Sequence, residues 1–194
     1  MVAALRAALL LADARYTTEC GTLLRTAADF GDEIFFLCEA TLSGQVTAAH
    51  KKFTEQAFQS IPTSLEEWME WERERYVARA EILKAHVRIS EKTGQDGELL
   101  RNASTWVSHG YDRYVHGSYD TAMELFNGRT GRFMTTGAES PRIVASALKA
   151  VAWKTGDAIM ALELMSYTRG PDPLYPTIQK VRRSQQAELD HIPW

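Results

Sequence analysis

Ser108-His-Gly-Tyr-Asp-Arg-Tyr-Val-His-Gly-Ser-Tyr119 places two of the chain's five histidines among aromatic and charged side chains. No proline interrupts the chain from Glu98 to His116, and apolar residues recur at helical spacing, so the segment reads as one helix ending near His116. On such a helix His109, Asp112, Arg113 and His116 stand at i, i+3, i+4 and i+7, along one stripe flanked by Tyr111 and Tyr114. Gly117 tolerates the left-handed conformation that closes a helix, and Ser118 can cap the next one.

Two readings of this stripe stand side by side. In the structural one, a His at a helix end bonds a backbone carbonyl, and an Asp beside an Arg forms an ion pair on a solvated face. In the functional one, two imidazoles, a guanidinium, a carboxylate and three phenols within twelve positions bind an anion or move a proton near neutral pH. His116 is then the acid or base and Arg113 the anion stabiliser, the two candidate catalytic residues. His109, Asp112, Ser118, Tyr119 and Arg25 are the candidate binding residues.

Working outward toward the amino terminus, Val2, Leu5, Leu9, Ala12 and Tyr16 recur at three and four and predict a first amphipathic helix. A second is expected over about Thr18 to Leu42, with Leu23, Ala27, Phe30, Ile34, Leu37 and Cys38 on its apolar side and Ser43-Gly44 as its stop. Arg25, Asp29 and Glu33 lie four apart on that helix. They form either a surface ion-pair ladder or, if Arg25 faces inward, a charge-assisted bond to the 108–119 stripe. A third helix carries Val46, Ala49, Phe53 and Ala57 and is closed by Ile61-Pro62. Ser64-Leu-Glu-Glu67 reads as a capping box opening a long fourth helix that runs to Thr93-Gly94, its Glu70-to-Arg75 charge run forming a solvated face. His50 and His86 read as surface or boundary residues.

Toward the carboxyl terminus, a short helix over about Ser118 to Phe126 is stopped by Asn127-Gly128. Arg129 to Gly137 lacks helical periodicity. Its arginines and glycines either approach an anion or let Phe133 and Met134 anchor a loop across the core. Ser140-Pro141 starts a further helix that ends before Arg169-Gly-Pro. Residues 1–170 thus read as one domain, an all-α antiparallel bundle of about six to eight helices. Residues 171–194 read as a carboxyl-terminal extension with a short helix around Ile178 and Val181 and a tail that is loose or docked through Trp194.

With 45% hydrophobic and 24% charged residues among 194, the chain has the composition of an ordinary globular protein. A formal charge of -3 argues against strong non-specific binding to DNA. Cys20 and Cys38 fall in apolar helical patterns without metal-ligand spacing, which reads as buried free thiols in a reducing cytoplasm. The apolar run from Ala7 to Ala12 is too short to span a membrane, which takes roughly 20 residues, and a cytoplasmic, membrane-free protein is expected. Walker and Rossmann phosphate loops, the Gly-x-Ser-x-Gly elbow and the His-Glu-x-x-His zinc motif are missing. No metal or cofactor is expected. The one metal-dependent alternative gathers His50, His86, His109 and His116 as in DinB-like bundles.

Tyr111-Asp-Arg-Tyr-Val-His-Gly-Ser-Tyr119, with Glu124-Leu-Phe-Asn-Gly128, Phe133 and Gly137, resembles an uncharacterised family of bacterial helical proteins that is distantly similar to HEPN domains. The resemblance spans about Leu23 to Met165 and is sharpest around His116. It implies a helical bundle, a homodimer, and a setting in which many HEPN domains act as metal-independent ribonucleases of toxin and antiphage systems. Their signature is an Arg, commonly followed by a polar residue, and then a His after four to six intervening positions. Here Arg101-Asn102 opens that pattern with seven positions before His109, whereas Arg113 and His116 have two between them. The resemblance therefore carries over a fold and a region, not a catalytic pair. The expected function is binding or cleavage of a phosphate-bearing ligand, a nucleotide or RNA. A non-catalytic interaction module is the alternative.

Overall fold

Helices α1 (Val2–Asp13), α2 (Thr17–Ser43), α3 (Ala48–Ala57), α4 (Leu65–Glu74), α5 (Arg79–Lys92), α6 (Gly97–Val115), α7 (Tyr119–Glu124), α8 (Pro141–Thr168) and α9 (Tyr175–Leu189) make the chain predominantly helical. One small hairpin interrupts them, in which β1 (Phe126–Asn127) pairs antiparallel with β2 (Arg132–Phe133). The computed structural model describes residues 1–57, 63–74, 77–92, 94, 96–134, 137–189 and 191; for 70–74, 100, 103, 108, 120 and 189 it describes the backbone alone. The expected proline stop at Ile61-Pro62 and the terminal Trp194 lie outside those residues. Among the described residues no helix is long and apolar enough to cross a membrane.

The chain packs as two units, one formed by Met1–Gly31 with Ala103–Trp194 and the other by Asp32–Asn102. In the first, Leu5, Ala8 and Ala12 of α1 meet Cys20, Leu24 and Ala27 of α2 and Val151 and Ala158 of α8. Five of these eight are alanine or cysteine, small side chains that let helices pack at close range. Leu24 is the more deeply buried of the two leucines at 1% exposure, and its burial contributes on the order of 2 kcal/mol. The core-facing stripe of α1 is therefore Leu5-Ala8-Ala12, while Val2 and Leu9, expected on it, are exposed. Alanine reads as neutral in a hydropathy pattern, and only the close approach of α8 makes it core. α9 packs along α8, with the Gln185 amide donating to the Ala152 carbonyl at 3.0 Å and Arg182 paired with Glu163.

The second unit is built on Phe36, Ile82 and Ala85, with Ala49, Phe53 and Val77 against them. His50, expected at the surface, is 2% exposed and stacks on Phe36 at 4.1 Å between ring centroids. Its Nδ1 accepts from the Thr47 backbone N–H at 3.1 Å, while Thr47 Oγ1 accepts from the His50 N–H at 3.3 Å. This is a capping box with an imidazole where Glu usually stands. The arrangement leaves Nε2 as the protonated nitrogen, and it donates to the Phe36 carbonyl at 3.0 Å. Glu39, also buried, is bonded by Arg88 at 2.9 Å. Burial alone would raise its carboxyl, but the bond to Arg88 and the charge beside it together hold it below the usual range.

The long fourth helix expected from Ser64 onward is in fact two helices, α4 and α5, with Val77 and Ala78 outside both. The Ser64–Glu67 capping box does form, each residue's side chain accepting from the other's backbone N–H. No glycine or proline marks the break downstream. Tertiary packing makes it: Val77 packs against the Phe36 cluster and Arg79 reaches Asp32 at 2.7 Å. The hairpin was equally invisible to periodicity, because two residues per strand carry no alternation. Phe133, read as anchoring a loop across the core if that segment does not approach an anion, lies against Phe126 with the centroids 5.2 Å apart and remains 59% exposed.

The end of α6 sets the geometry of everything after it. Gly117 adopts φ +60, and the Ser118 N–H returns to the Arg113 carbonyl at 3.0 Å, the closing bond of a Schellman motif. Ser118 then caps α7, its hydroxyl accepting from the Thr121 N–H. Open space surrounds the missing Cβ of Gly117, so Gly117→Ala meets backbone strain alone. It is expected to lower stability by about 1 kcal/mol in a urea melt, with the helical content of the folded state unchanged.

Candidate functional site

The residues singled out by the sequence divide into two groups in the first unit. Arg25, on the inward side of α2 with 16% of its side chain exposed, donates from Nε to Asp112 Oδ1 at 2.8 Å and from Nη1 to Asp29 Oδ1. Both readings of Arg25 are thus realised in one side chain, a rung to Asp29 along α2 and a bridge to α6. His109, His116 and Tyr119 are exposed. His116 stands just past the end of α6, its backbone N–H on the Asp112 carbonyl at 2.9 Å, and Ser118 is occupied as a helix cap.

Arg113 turns away from that exposed face. Its Nη2 donates to the Tyr114 hydroxyl at 2.6 Å and to Glu124 Oε1 at 3.2 Å, and the Tyr114 hydroxyl donates to the same Oε1 at 3.2 Å. The guanidinium carbon lies 4.7 Å from the Tyr114 ring centroid. The triad borders a half-open cleft of about 220 Å³ lined by residues of α2, α6, α7 and α8. Thr17, Cys20, Gly21 and Leu24 form the α2 wall, and Arg142, Ile143, Ser146, Ala147 and Ala150 the α8 wall. Of the seven residues expected at a site, Arg113 alone lines this cavity.

Gly21 explains how α2 and α6 come close enough to shape it. A Cβ there would sit 2.4 Å from the Tyr114 ring, so a hydrogen at this position is what seats the phenol against α2. Burial pushes the Tyr114 hydroxyl above its ordinary pKa, with Glu124 adding to the shift and Arg113 opposing it. Tyr111 is raised further, chiefly by burial and then by Asp157. Both phenols therefore stay protonated donors through neutral pH. Cys20, pushed up to about 11 by burial, is a thiol and no nucleophile.

Glu124, Thr17, Gly21, Arg142 and Ser146 were missed as site residues by sequence reasoning. Each lies on a different helical pattern from the 108–119 stripe, and only the packing of α2, α7 and α8 brings them to it. A second, more open cavity of about 350 Å³ shares Glu124 and Ile143 and is bounded by Asn127 and Glu139, which already bond each other at 2.6 Å.

No family model, curated protein or solved structure matches the chain. Its chemistry is therefore argued from these residues alone. Among the described residues no group of three or more His, Cys, Asp or Glu side chains is placed to hold a metal ion. His50, part of the DinB-like alternative, already has Thr47 on one ring nitrogen and the Phe36 carbonyl on the other.

Proposed function

We propose that the protein binds a small phosphate-bearing ligand, a nucleotide or a nucleotide of RNA, in the cavity of the first unit, within the HEPN-like, dimeric setting that the sequence resemblance suggests. The observation that carries this reading is the pairing of two guanidiniums, Arg113 and Arg142, with one carboxylate, Glu124, on the cavity wall. That leaves one positive charge for an anion to complete, and the hydroxyl of Ser146 adds a donor for its oxygens. Cleavage, if it occurs, belongs to His116, whose exposed imidazole stands beyond the cavity lining and meets a substrate that extends onto the surface.

Titration calorimetry with nucleoside monophosphates tests the binding, and a labelled RNA tests the cleavage. Arg142→Ala is expected to weaken phosphate-dependent binding about tenfold or more. His116→Ala is expected to leave binding intact while removing cleavage. Wild-type protein that neither binds a nucleotide nor cuts RNA ends the proposal. A second reading, a non-catalytic interaction module, is favoured by the Arg25 bridge, which uses Asp112 to lock α6 to α2 and so takes it out of any site.

A further inference from the structure

Helix α1 buries Leu5, Ala8 and Ala12 and turns a second stripe to solvent. Arg6, Leu9, Leu10 and Asp13 stand at i, i+3, i+4 and i+7, and all four are exposed, Leu9 by 49% and Leu10 by 71%. Val2, at 60% exposure, and Ala3 continue the stripe one turn toward the amino terminus, and Tyr16, also exposed, follows one turn beyond Asp13. A solvated helix face carries polar residues at its centre. This one carries two adjacent leucines there, with charge only at its ends, which is the make-up of a contact surface.

Among the described residues neither Arg6 nor Asp13 has an ion-pair partner. Within one chain they cannot serve each other, because seven residues of helix hold them about 10 Å apart. Asp13 is moreover the last residue of α1, at the negative end of the helix dipole, and no basic residue stands in that last turn. An anion there destabilises the helix unless a cation arrives from elsewhere.

The order Arg6, Leu9, Leu10, Asp13 is complementary to itself read backwards. When two copies of α1 run antiparallel about a two-fold axis between residues 9 and 10, Leu9 of each meets Leu10 of the other, and Arg6 of each meets Asp13 of the other. The arriving guanidinium supplies the cation that the end of α1 lacks, and Val2 and Ala3 come opposite the exposed Tyr16 of the second copy. A lipid surface does not fit the same stripe. Helices that lie on anionic membranes are rich in Lys and Arg, whereas here Asp13 cancels Arg6.

We infer that this stripe of α1 is an isologous interface through which the protein pairs with a second copy of itself. A helix of 12 residues is about 18 Å long, so the contact falls toward the low end of interface sizes, below roughly 1,200 Å². The dimer is therefore reversible, with a dissociation constant in the micromolar range. No residue of α1 lines the cleft of the first unit, so this inference goes beyond the nucleotide reading, and each stands or falls without the other.

Sedimentation equilibrium of the full chain between about 1 μM and about 1 mM tests it, and wild type is expected to pass from monomer to dimer over that range. Arg6→Glu sets like charges against each other at both ends of the contact, and so does Asp13→Arg. Each variant alone is expected to self-associate about tenfold more weakly or worse. An equimolar mixture of the two is expected to dimerise about as tightly as wild type, because in the mixed pair the introduced Glu faces the introduced Arg and the native Arg6 faces the native Asp13. Leu10→Lys is expected to stay monomeric throughout. These positions are exposed, so the variants keep the wild-type helical content, which circular dichroism checks. A wild type that is monomeric at every concentration, a Leu10→Lys dimer as tight as wild type, or a mixture no tighter than its components overturns the inference, and nucleotide binding is unchanged in each of these cases.

Discussion

Phe36→Ala is expected to destabilise the 32–102 unit by about 3–5 kcal/mol. Phe36 is 1% exposed and is the largest fully buried side chain among the described residues. Its ring touches His50 on one side and Phe53 at 5.6 Å on another, and its backbone carbonyl accepts from His50 Nε2. Truncation removes the ring's own transfer free energy and leaves a cavity that α3 and α5 cannot close, because His50 is held by its bonds to Thr47. The loss is read as a drop in the urea midpoint followed by circular dichroism. Faster hydrogen exchange across α3 and α5 than across α8 shows that the damage is local to that unit. A change below about 1 kcal/mol would mean that the ring is not packed as described.

Gly137→Ala is expected to cost about 3 kcal/mol, for two separate reasons that add. The residue adopts φ +93, where a Cβ is strained by about 1–2 kcal/mol before any neighbour is considered. The Cβ would also sit 2.4 Å from the Arg15 carbonyl oxygen, a backbone atom that cannot swing away, which adds the ~1–3 kcal/mol typical of overpacking. That carbonyl accepts from the Ala138 N–H at 2.8 Å, so the methyl pushes apart the contact that ties the segment before α8 to the α1–α2 turn. Arg15 is itself left-handed at φ 70, and the Tyr16 N–H closes a Schellman bond to the Leu11 carbonyl. A thermal melt of Gly137→Ala beside Gly117→Ala separates the two causes, since open space surrounds Gly117 and only strain applies there. Equal losses in the two variants would show that the 137–15 contact is not tight.

What the sequence makes legible is whatever is local. The capping pair Ser64–Glu67, the stop at Gly117, the cap at Ser118 and the proline-led start of α8 are each decided within one turn of chain, and each stands where the pattern put it. Ser140 holds the N-cap position of α8 without a side-chain cap bond. The break at Val77, the burial of His50 and the core role of Ala8 are settled by partners tens of residues away, so hydropathy spacing is silent on them.

The site follows the same rule. Density of polar residues drew attention to His109 and His116, yet both are exposed. Glu124 stood out only as the first residue of the Glu124-to-Gly128 motif, with no role assigned. It gains its meaning from Tyr114, ten residues earlier, and from α8 behind it. Arg25 was the one long-range partner that the sequence could suggest, because an Arg flanked by acids at helical spacing still has donors to spare.

One property of α2 has a practical use. The helix carries Cys20 in the first unit and Cys38 in the second, both buried and neither in a disulfide. With the Cys20 thiol near pKa 11, only about one molecule in ten thousand is ionised at neutral pH, so alkylating reagents wait for the surrounding helices to part. The chain thus contains one built-in clock for each unit. Comparing the rates at which iodoacetamide labels the two sulfurs reports whether the halves of α2 open in a single event or in succession.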